Sequence, residues 1–483
     1  MILKIKFLLL FFVAGVNLFS QDKVANVETI IRREMKEQHI PGLQVAIIQH
    51  GKIVLNKSYG IANMEDSARV KNETVFSIMS CTKVFTGVAI MQLVEDGKIS
   101  LSAPISNYLD DLPVNWQRVT IRQLLIHVSG LPDIIQFYPS ATHGFGALTE
   151  AQAWEKIKTM PMDFPTGEQT RYNQTNYVIL GKIIDKISGK PFIQFFKERQ
   201  FQPVGMPTTV FGDSRSVISN FAPVYEYVEN TNELHQKEGV LTRNYLEVPF
   251  FLRTAGGVNS TAEELAKWII ALQQGKLFKK KATLDTLWTP GTYNNGTPTP
   301  WVLGWGNTKF RPKHKAIGMT GGVRSALIIY PDDNLAVVVL TNLKGCQPFN
   351  FIEEIASCYN PDIVEADPIT FLRINLREKG FENAIEVVNA QKKKDPLFQP
   401  TESDLNYWGY RMIEKGQYKA AVEIFKLMVF LYPESSDAYD SYGEGLLKNG
   451  QKSEAVKMYK KALELNPKNE NSKKVLEELS KQQ

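Results

Sequence analysis

Two apolar hairpin patterns stand at opposite ends of one long stretch, and together they restrict the fold more than any single motif does. The first joins Gln44–Gln49 to Lys52–Tyr59 across His50-Gly51, and the second joins Ala326–Tyr330 to Leu335–Thr341 across Pro331 to Asn334. Helical periodicity fills much of the interval. Early and late strands with helices between them imply one sheet closed by both ends of a domain and flanked by helices, an α+β arrangement. One intervening helix opens at Ser80: Val84, Val88, Met91 and Leu93 follow it at apolar spacing, and Gly97 stops the run.

Ser80 and Lys83, in FSIMSCTKVF, share one face of that helix start. The ammonium can therefore reach the hydroxyl, and the free amides and positive dipole end of the first turn can stabilise an oxyanion. On spacing alone, an N-cap serine followed by a solvated lysine is the more ordinary reading. The same Ser-x-x-Lys spacing recurs at Ser20/Lys23, where no catalyst is expected.

Context changes the balance. The stretches SCTKVFTGVAIMQLVEDGKISLSAPISNYL, RQLLIHVSGLPD, PTGEQTRYNQTNYVILGKII, TAGGVNSTAEELAKWI and MTGGVRSALIIYPDDNLAVVVLTN occur in that order. This series resembles the serine β-lactamase and penicillin-binding-protein-like hydrolases, the superfamily that also holds DD-peptidases and related esterases. The resemblance spans roughly Val24 to Leu343 and implies a β-lactamase-like antiparallel sheet flanked by helices, with an all-helical domain beside it.

Residue by residue, the resemblance makes Ser80 the acylated nucleophile, Lys83 its activating partner and Tyr172 a proton shuttle. A lysine with an ordinary pKa of about 10.4 must be desolvated, or sit near another cation, to act as a base at neutral pH. The family's Tyr-x-Asn element falls on Tyr172, Asn173 and Gln174, so Gln174 stands where asparagine is usual and carries one more methylene. Taken apart from the family, Tyr172 is an ordinary loop aromatic, and Asn176 competes for the asparagine role until the register of Tyr177 and Leu180 is considered. The third element, Lys-Thr-Gly or His-x-Gly in relatives, reads Met319, Thr320, Gly321, followed by Gly322. Its glycines suit an oxyanion hole built from the amides of Ser80 and Gly322. Its thioether cannot attract a carboxylate or relay a proton, which leaves Arg324 or His314 as nearby substitutes.

The N-terminus reads MILKIK followed by an apolar run from Phe7 to about Phe19, the pattern of a signal peptide over 1–21, with an uncleaved anchor as the alternative. No later segment is expected to span a membrane, and a periplasmic or secreted protein follows. Of three cysteines, Cys81 is expected to pack beside the nucleophile, with a Cys81 nucleophile the sharper alternative, and Cys346 and Cys358 form a possible local pair. The histidines at 39, 50, 127, 143, 235 and 314 show no ligand spacing, so no metal or other cofactor is expected, and His127 reads as a core or loop-anchoring residue. A net charge of +5 over 483 residues, without a dense basic stripe, gives no nucleic-acid signature.

Beyond Cys358 a period of 34 emerges: Gly409/Gly443, Ala421/Ala455 and Pro433/Pro467. Phe425 and Tyr459 follow the alanines at i+4, and Ala384 to Pro396 repeats the spacing of Ala421 to Pro433. This is the period of the tetratricopeptide repeat, whose concave face commonly binds peptides; a packing appendage is the plainer alternative. The expected organisation is a hydrolase domain over 24–345, a linker over 346–366 and an α-helical repeat solenoid over 367–480. Two functions follow: an exported serine hydrolase acting through a Ser80 acyl-enzyme on an ester, a D-amino-acid peptide or a β-lactam, small neutral esters favoured; or a catalytically weak module that recruits cell-wall or protein partners with its repeats.

Overall fold

The two hairpins meet in one antiparallel sheet. In the computed structural model, described over residues 22–137, 148–231, 237–306 and 308–481, β1 (Gly42–Gln49), β2 (Lys52–Asn63) and β3 (Ala68–Arg69) come from the start of the domain. Its end supplies β4 (Ile317–Gly321), β5 (Ser325–Tyr330) and β6 (Leu335–Thr341). The sheet order is β3-β2-β1-β6-β5-β4, and the closure is the β1–β6 pair, in register from Leu43 opposite Thr341 to Gln49 opposite Leu335. Both strands are buried along almost their whole length, which explains runs such as LAVVVLT that lack polar alternation.

Helices cover this sheet and fill the interval between its halves. A first helix, α1, spans residues 22–37. Helix α2 (Thr82–Glu95), which follows directly on the Ser80 turn, is buried continuously from Thr82 to Leu93, so it has no solvent face there. It packs on α3 (Gln174–Ser188), while α4 (Ala262–Gln273) packs on β1, β2 and β6. One large apolar cluster runs through the sheet and α2, α3 and α4.

The stretch 346–366, expected as a linker, does not behave as one throughout. Helix α5 (Ile352–Ser357) packs on β6, and its buried Glu353 pairs with Lys309 and Arg311 and accepts a bond from Tyr330 Oη. The first compact unit accordingly runs to Asn360. The expected Cys346–Cys358 pair is also absent. Neither thiol forms a disulfide: Cys346 Sγ lies 2.9 Å from Thr341 Oγ1, and Cys358 Sγ donates to the Glu354 carbonyl one turn back. The expected signal peptide, His143 and His235 lie outside the described residues.

The second unit, Pro361–Gln483, is helical among its described residues. After a short turn of helix at Asp362–Ala366, its longer helices are α6 (Pro368–Lys379), α7 (Ala384–Lys394), α8 (Glu402–Glu414), α9 (Tyr418–Leu431), α10 (Ser436–Lys448), α11 (Lys452–Leu465) and α12 (Glu470–Ser480). The period of 34 has a packing cause. The Phe425 ring sits where a side chain at Gly409 would be, 2.4 Å from a Cβ built there, and the Tyr459 ring stands 3.1 Å from a Cβ built on Gly443.

Candidate active site

A short three-stranded sheet, Phe76–Ser77, Val258–Ser260 and Val210–Phe211, delivers the chain to Ser80. The Ile78 amide donates to the Val258 carbonyl, and Met79 then takes φ +48°, a left-handed turn unusual for a side chain of its size. Ser80 follows in the 3-10 turn Met79–Cys81 that leads into α2. Thr82 Oγ1 accepts from the Val258 amide, and Thr86 Oγ1 donates to the Thr254 carbonyl, so the segment is pinned from both sides.

Lys83 is fully buried yet well supplied with acceptors. Its Nζ donates to Gln174 Oε1 at 2.9 Å and to the Ala255 carbonyl at 2.8 Å, and lies 3.5 Å from Ser80 Oγ. The rings of Tyr172 and Tyr177 flank the ammonium at 4.7 and 5.0 Å from their centroids, so two π faces complete its shell. Tyr172 Oη is the nearer partner of the nucleophile, donating to Ser80 Oγ at 2.7 Å. The structure thus brings Ser80, Lys83, Tyr172 and Gln174 together. With the Gln174 carbonyl committed to Lys83, only its NH2 remains for a ligand.

Behind Tyr172 stands a rigid support that no spacing in the sequence reveals. Its ring stacks on Trp301 and packs against His127. His127 is fully buried, and its carbonyl accepts from the Arg171 amide while Nδ1 accepts from the Asn173 amide, which brackets Tyr172. The backbone donor places the His127 proton on Nε2, which has no hydrogen-bond partner among the described residues. Burial, and secondarily the Lys83 charge, hold this imidazole well below its ordinary range, so it stays neutral. Asn176, the competitor for the motif position, is buried: Oδ1 accepts from Ser129 Oγ and Nδ2 lies 3.2 Å from His127 Nδ1.

Strand β4 closes the other side. A Cβ built on Gly321 would lie 1.9 Å from the Ile78 carbonyl oxygen, and one on Gly322, at φ +53°, 2.7 Å from Met79 Cγ. Only glycines let the strand approach the nucleophile's turn this closely. Thr320 remains partly exposed. Met319 is placed differently from the expectation that it faces the substrate. Its side chain is 2 % exposed within the apolar core, and its carbonyl accepts from Cys81 Sγ. Cys81 is itself buried, and burial pushes its thiol up to about 12, which removes it as a nucleophile at neutral pH.

The two candidate substitutes for the missing cation separate. His314 Nδ1 lies 2.8 Å from Asp333, in the turn after β5, at the opposite end of β4 from Gly321. Arg324, by contrast, adjoins Gly322 and donates from Nη2 to Ser77 Oγ at 3.2 Å. Among the described residues no group of three His, Cys, Asp or Glu side chains could hold a metal, and no helix is long and apolar enough to cross a membrane.

Comparison with known proteins agrees with this fold. Residues 27–353 match the family model described as Beta-lactamase, and residues 436–469 match the model of the tetratricopeptide repeat. "Protein flp" of Staphylococcus aureus strain MW2 is 25% identical over 352 residues, covering 71% of this chain and 67% of its own. "Penicillin-binding protein 4*" of Bacillus subtilis strain 168 is 27% identical over 330 residues, covering 67% and 72%. Among solved structures, the octameric penicillin-binding protein homologue from Pyrococcus abyssi superposes with a TM-score of 0.61 at 24% identity, covering 73% of this chain and 81% of that one.

Proposed function

This chain belongs to the β-lactamase family, and on that premise we propose that it is a serine hydrolase that forms and hydrolyses an acyl-enzyme at Ser80. The observation that carries the reading is Ser80 Oγ held by Tyr172 Oη at 2.7 Å and faced by the buried Lys83 ammonium. Ser80 Oγ attacks the acyl carbonyl as its proton passes to the Tyr172 oxygen, the nearer of its two partners, which enters the step as a phenolate beside the Lys83 ammonium, having released to water the proton it donates to Ser80 Oγ in the resting site. The Lys83 charge steadies the negative charge that develops on that side, and the amides of Ser80 and Gly322 receive the oxyanion. Tyr172 then returns the proton to the departing oxygen or nitrogen, and water attacks the ester of Ser80 by the same route in reverse.

The favoured substrates are small neutral esters. Where relatives carry lysine or histidine this chain has a buried thioether, so a substrate carboxylate lacks a charge-assisted bond worth about 1.5–3 kcal/mol. Penicillins and cephalosporins should therefore turn over slowly. The N-terminal segment supports an exported enzyme, periplasmic or secreted, and the repeats a peptide or protein partner.

Incubation with a fluorophosphonate or a p-nitrophenyl ester, followed by intact-mass measurement, tests the reading. One adduct is expected on the wild type and none on Ser80→Ala. An equal adduct on that variant would sink the assignment.

A further inference from the structure

Among the described residues Arg324 is a buried cation with no carboxylate paired to it. Its side chain is 2 % exposed, its one side-chain bond goes to Ser77 Oγ, and its Nε has no partner among the described residues. Asp213 lines the same cleft but is committed to Arg215 and lies 3.7 Å from Arg253. Burying an unpaired guanidinium opposes folding, and a hydrophobic side chain of similar volume would avoid that opposition.

The location gives the charge a use. Gly322 and Val323 take φ +53° and +54° in succession, which turns the chain from β4 into β5. The Arg324 amide closes that turn onto the Gly321 carbonyl at 3.0 Å, and the Arg324 carbonyl is gripped by the amide and hydroxyl of Thr341. A Cβ built on Gly322 would lie 3.6 Å from the guanidinium carbon. The charge therefore sits beside the amide assigned to the oxyanion, and its bond to Ser77 ties it to the strand three residues before the nucleophile.

We propose that Arg324 is a positioning residue of the oxyanion hole: its buried charge orients the Gly322 turn and stabilises negative charge there, the electrostatic role that Met319 cannot fill. The inference rests on the acyl-enzyme reading of Ser80. Burial lowers the guanidinium to about 10, still far above neutrality, so the charge persists at working pH. A preorganised charge in a desolvated site acts strongly because little water screens it and nothing must reorganise.

The test uses the full chain with Arg324→Met and Arg324→Lys. Five quantities are measured: kcat and KM for a neutral p-nitrophenyl ester, the affinity for an arylboronic acid that becomes tetrahedral and anionic on Ser80, the fluorophosphonate labelling rate, and the thermal midpoint. For Arg324→Met, kcat, labelling rate and boronate affinity should fall together by about 10- to 100-fold while KM holds and the midpoint stays level or rises. Arg324→Lys should recover part of each loss. Wild-type kcat in Arg324→Met would overturn the inference, as would loss of its folded state, which would mark the residue as structural. If the wild type itself never labels at Ser80, the acyl-enzyme reading falls and this inference with it; normal labelling of wild type and Arg324→Met alike removes this inference alone.

Discussion

Replacing Gly321 by alanine should separate chemistry from binding. Gly321 lies outside the left-handed region, so its torsions accept a side chain and the obstacle is space. The new methyl would meet the Ile78 carbonyl oxygen at 1.9 Å, Ser325 Oγ at 2.6 Å and the Cys81 amide at 3.0 Å. Ile78 O cannot swing aside, because it accepts from both the Cys81 amide and Ser325 Oγ. Ordinary contact starts at 3.4 Å, so β4 must retreat by about 1.5 Å from the segment that carries Ser80. A displacement near 1 Å in a catalytic constellation is worth about 100-fold. Gly322 travels with β4, so kcat for a neutral ester should drop at least about 100-fold. Overpacking should also lower stability by about 1–3 kcal/mol. Stopped-flow acylation and urea denaturation on the same preparation give both numbers. Activity within threefold of wild type would refute the close apposition of β4 and the Ser80 turn as the basis of the site.

Three further outcomes follow from the same structure. Truncation after Asn360 should leave turnover of a small ester within about twofold of the full chain, and a folded but inactive product would show that the repeats shape the site. Met319→His should cost about 1–3 kcal/mol of stability, because the new imidazole enters a core site, and should leave the ratio of kcat/KM for a cephalosporin to that for a neutral ester within about twofold of wild type; a clear rise in that ratio would show that the position reaches the substrate. His127 predicts a pH dependence of stability. Above its ordinary value of 6.5 both folded and unfolded chains hold it neutral, whereas below 6.5 only the unfolded chain takes up the proton, so stability falls with falling pH by up to about 1.4 kcal/mol per unit. Urea titrations at pH 7.5 and 5.5 should show that loss shrinking in His127→Gln, and an identical loss in both proteins would refute it.

How far the sequence discloses this molecule depends on whether a feature is local. The Ser80/Lys83 pair is local, since three-residue spacing on a helix start brings the groups together whatever lies around them. The contacts Phe425–Gly409 and Tyr459–Gly443 are legible because they recur with the period itself. The Ala255 carbonyl on Lys83, the His127 and Trp301 rings behind Tyr172, and the unpaired Arg324 arise only when distant segments pack, and no spacing encodes them. Met319 reads as a site residue because relatives carry lysine or histidine at that place on the strand lining the site, yet the thioether is buried and joins the core. The 346–366 stretch reads as a linker because composition and periodicity switch near Asp367, whereas its Glu353 is matched by Lys309 and Arg311, and its Glu354 by Arg33, contacts that only packing discloses.

The β1–β6 closure also sets a schedule for synthesis. Val45 pairs with Val339, 294 positions later, so β1 emerges from the ribosome long before its partner exists. At about 5–20 residues per second the nascent chain waits about 15–60 s. Throughout that interval GLQVAIIQ, an uncharged apolar segment with one sheet edge unclaimed, has the composition that seeds intermolecular strand pairing. The sheet therefore cannot close until its last strand arrives. The helical repeats, whose contacts are between neighbours, can form as soon as they are made.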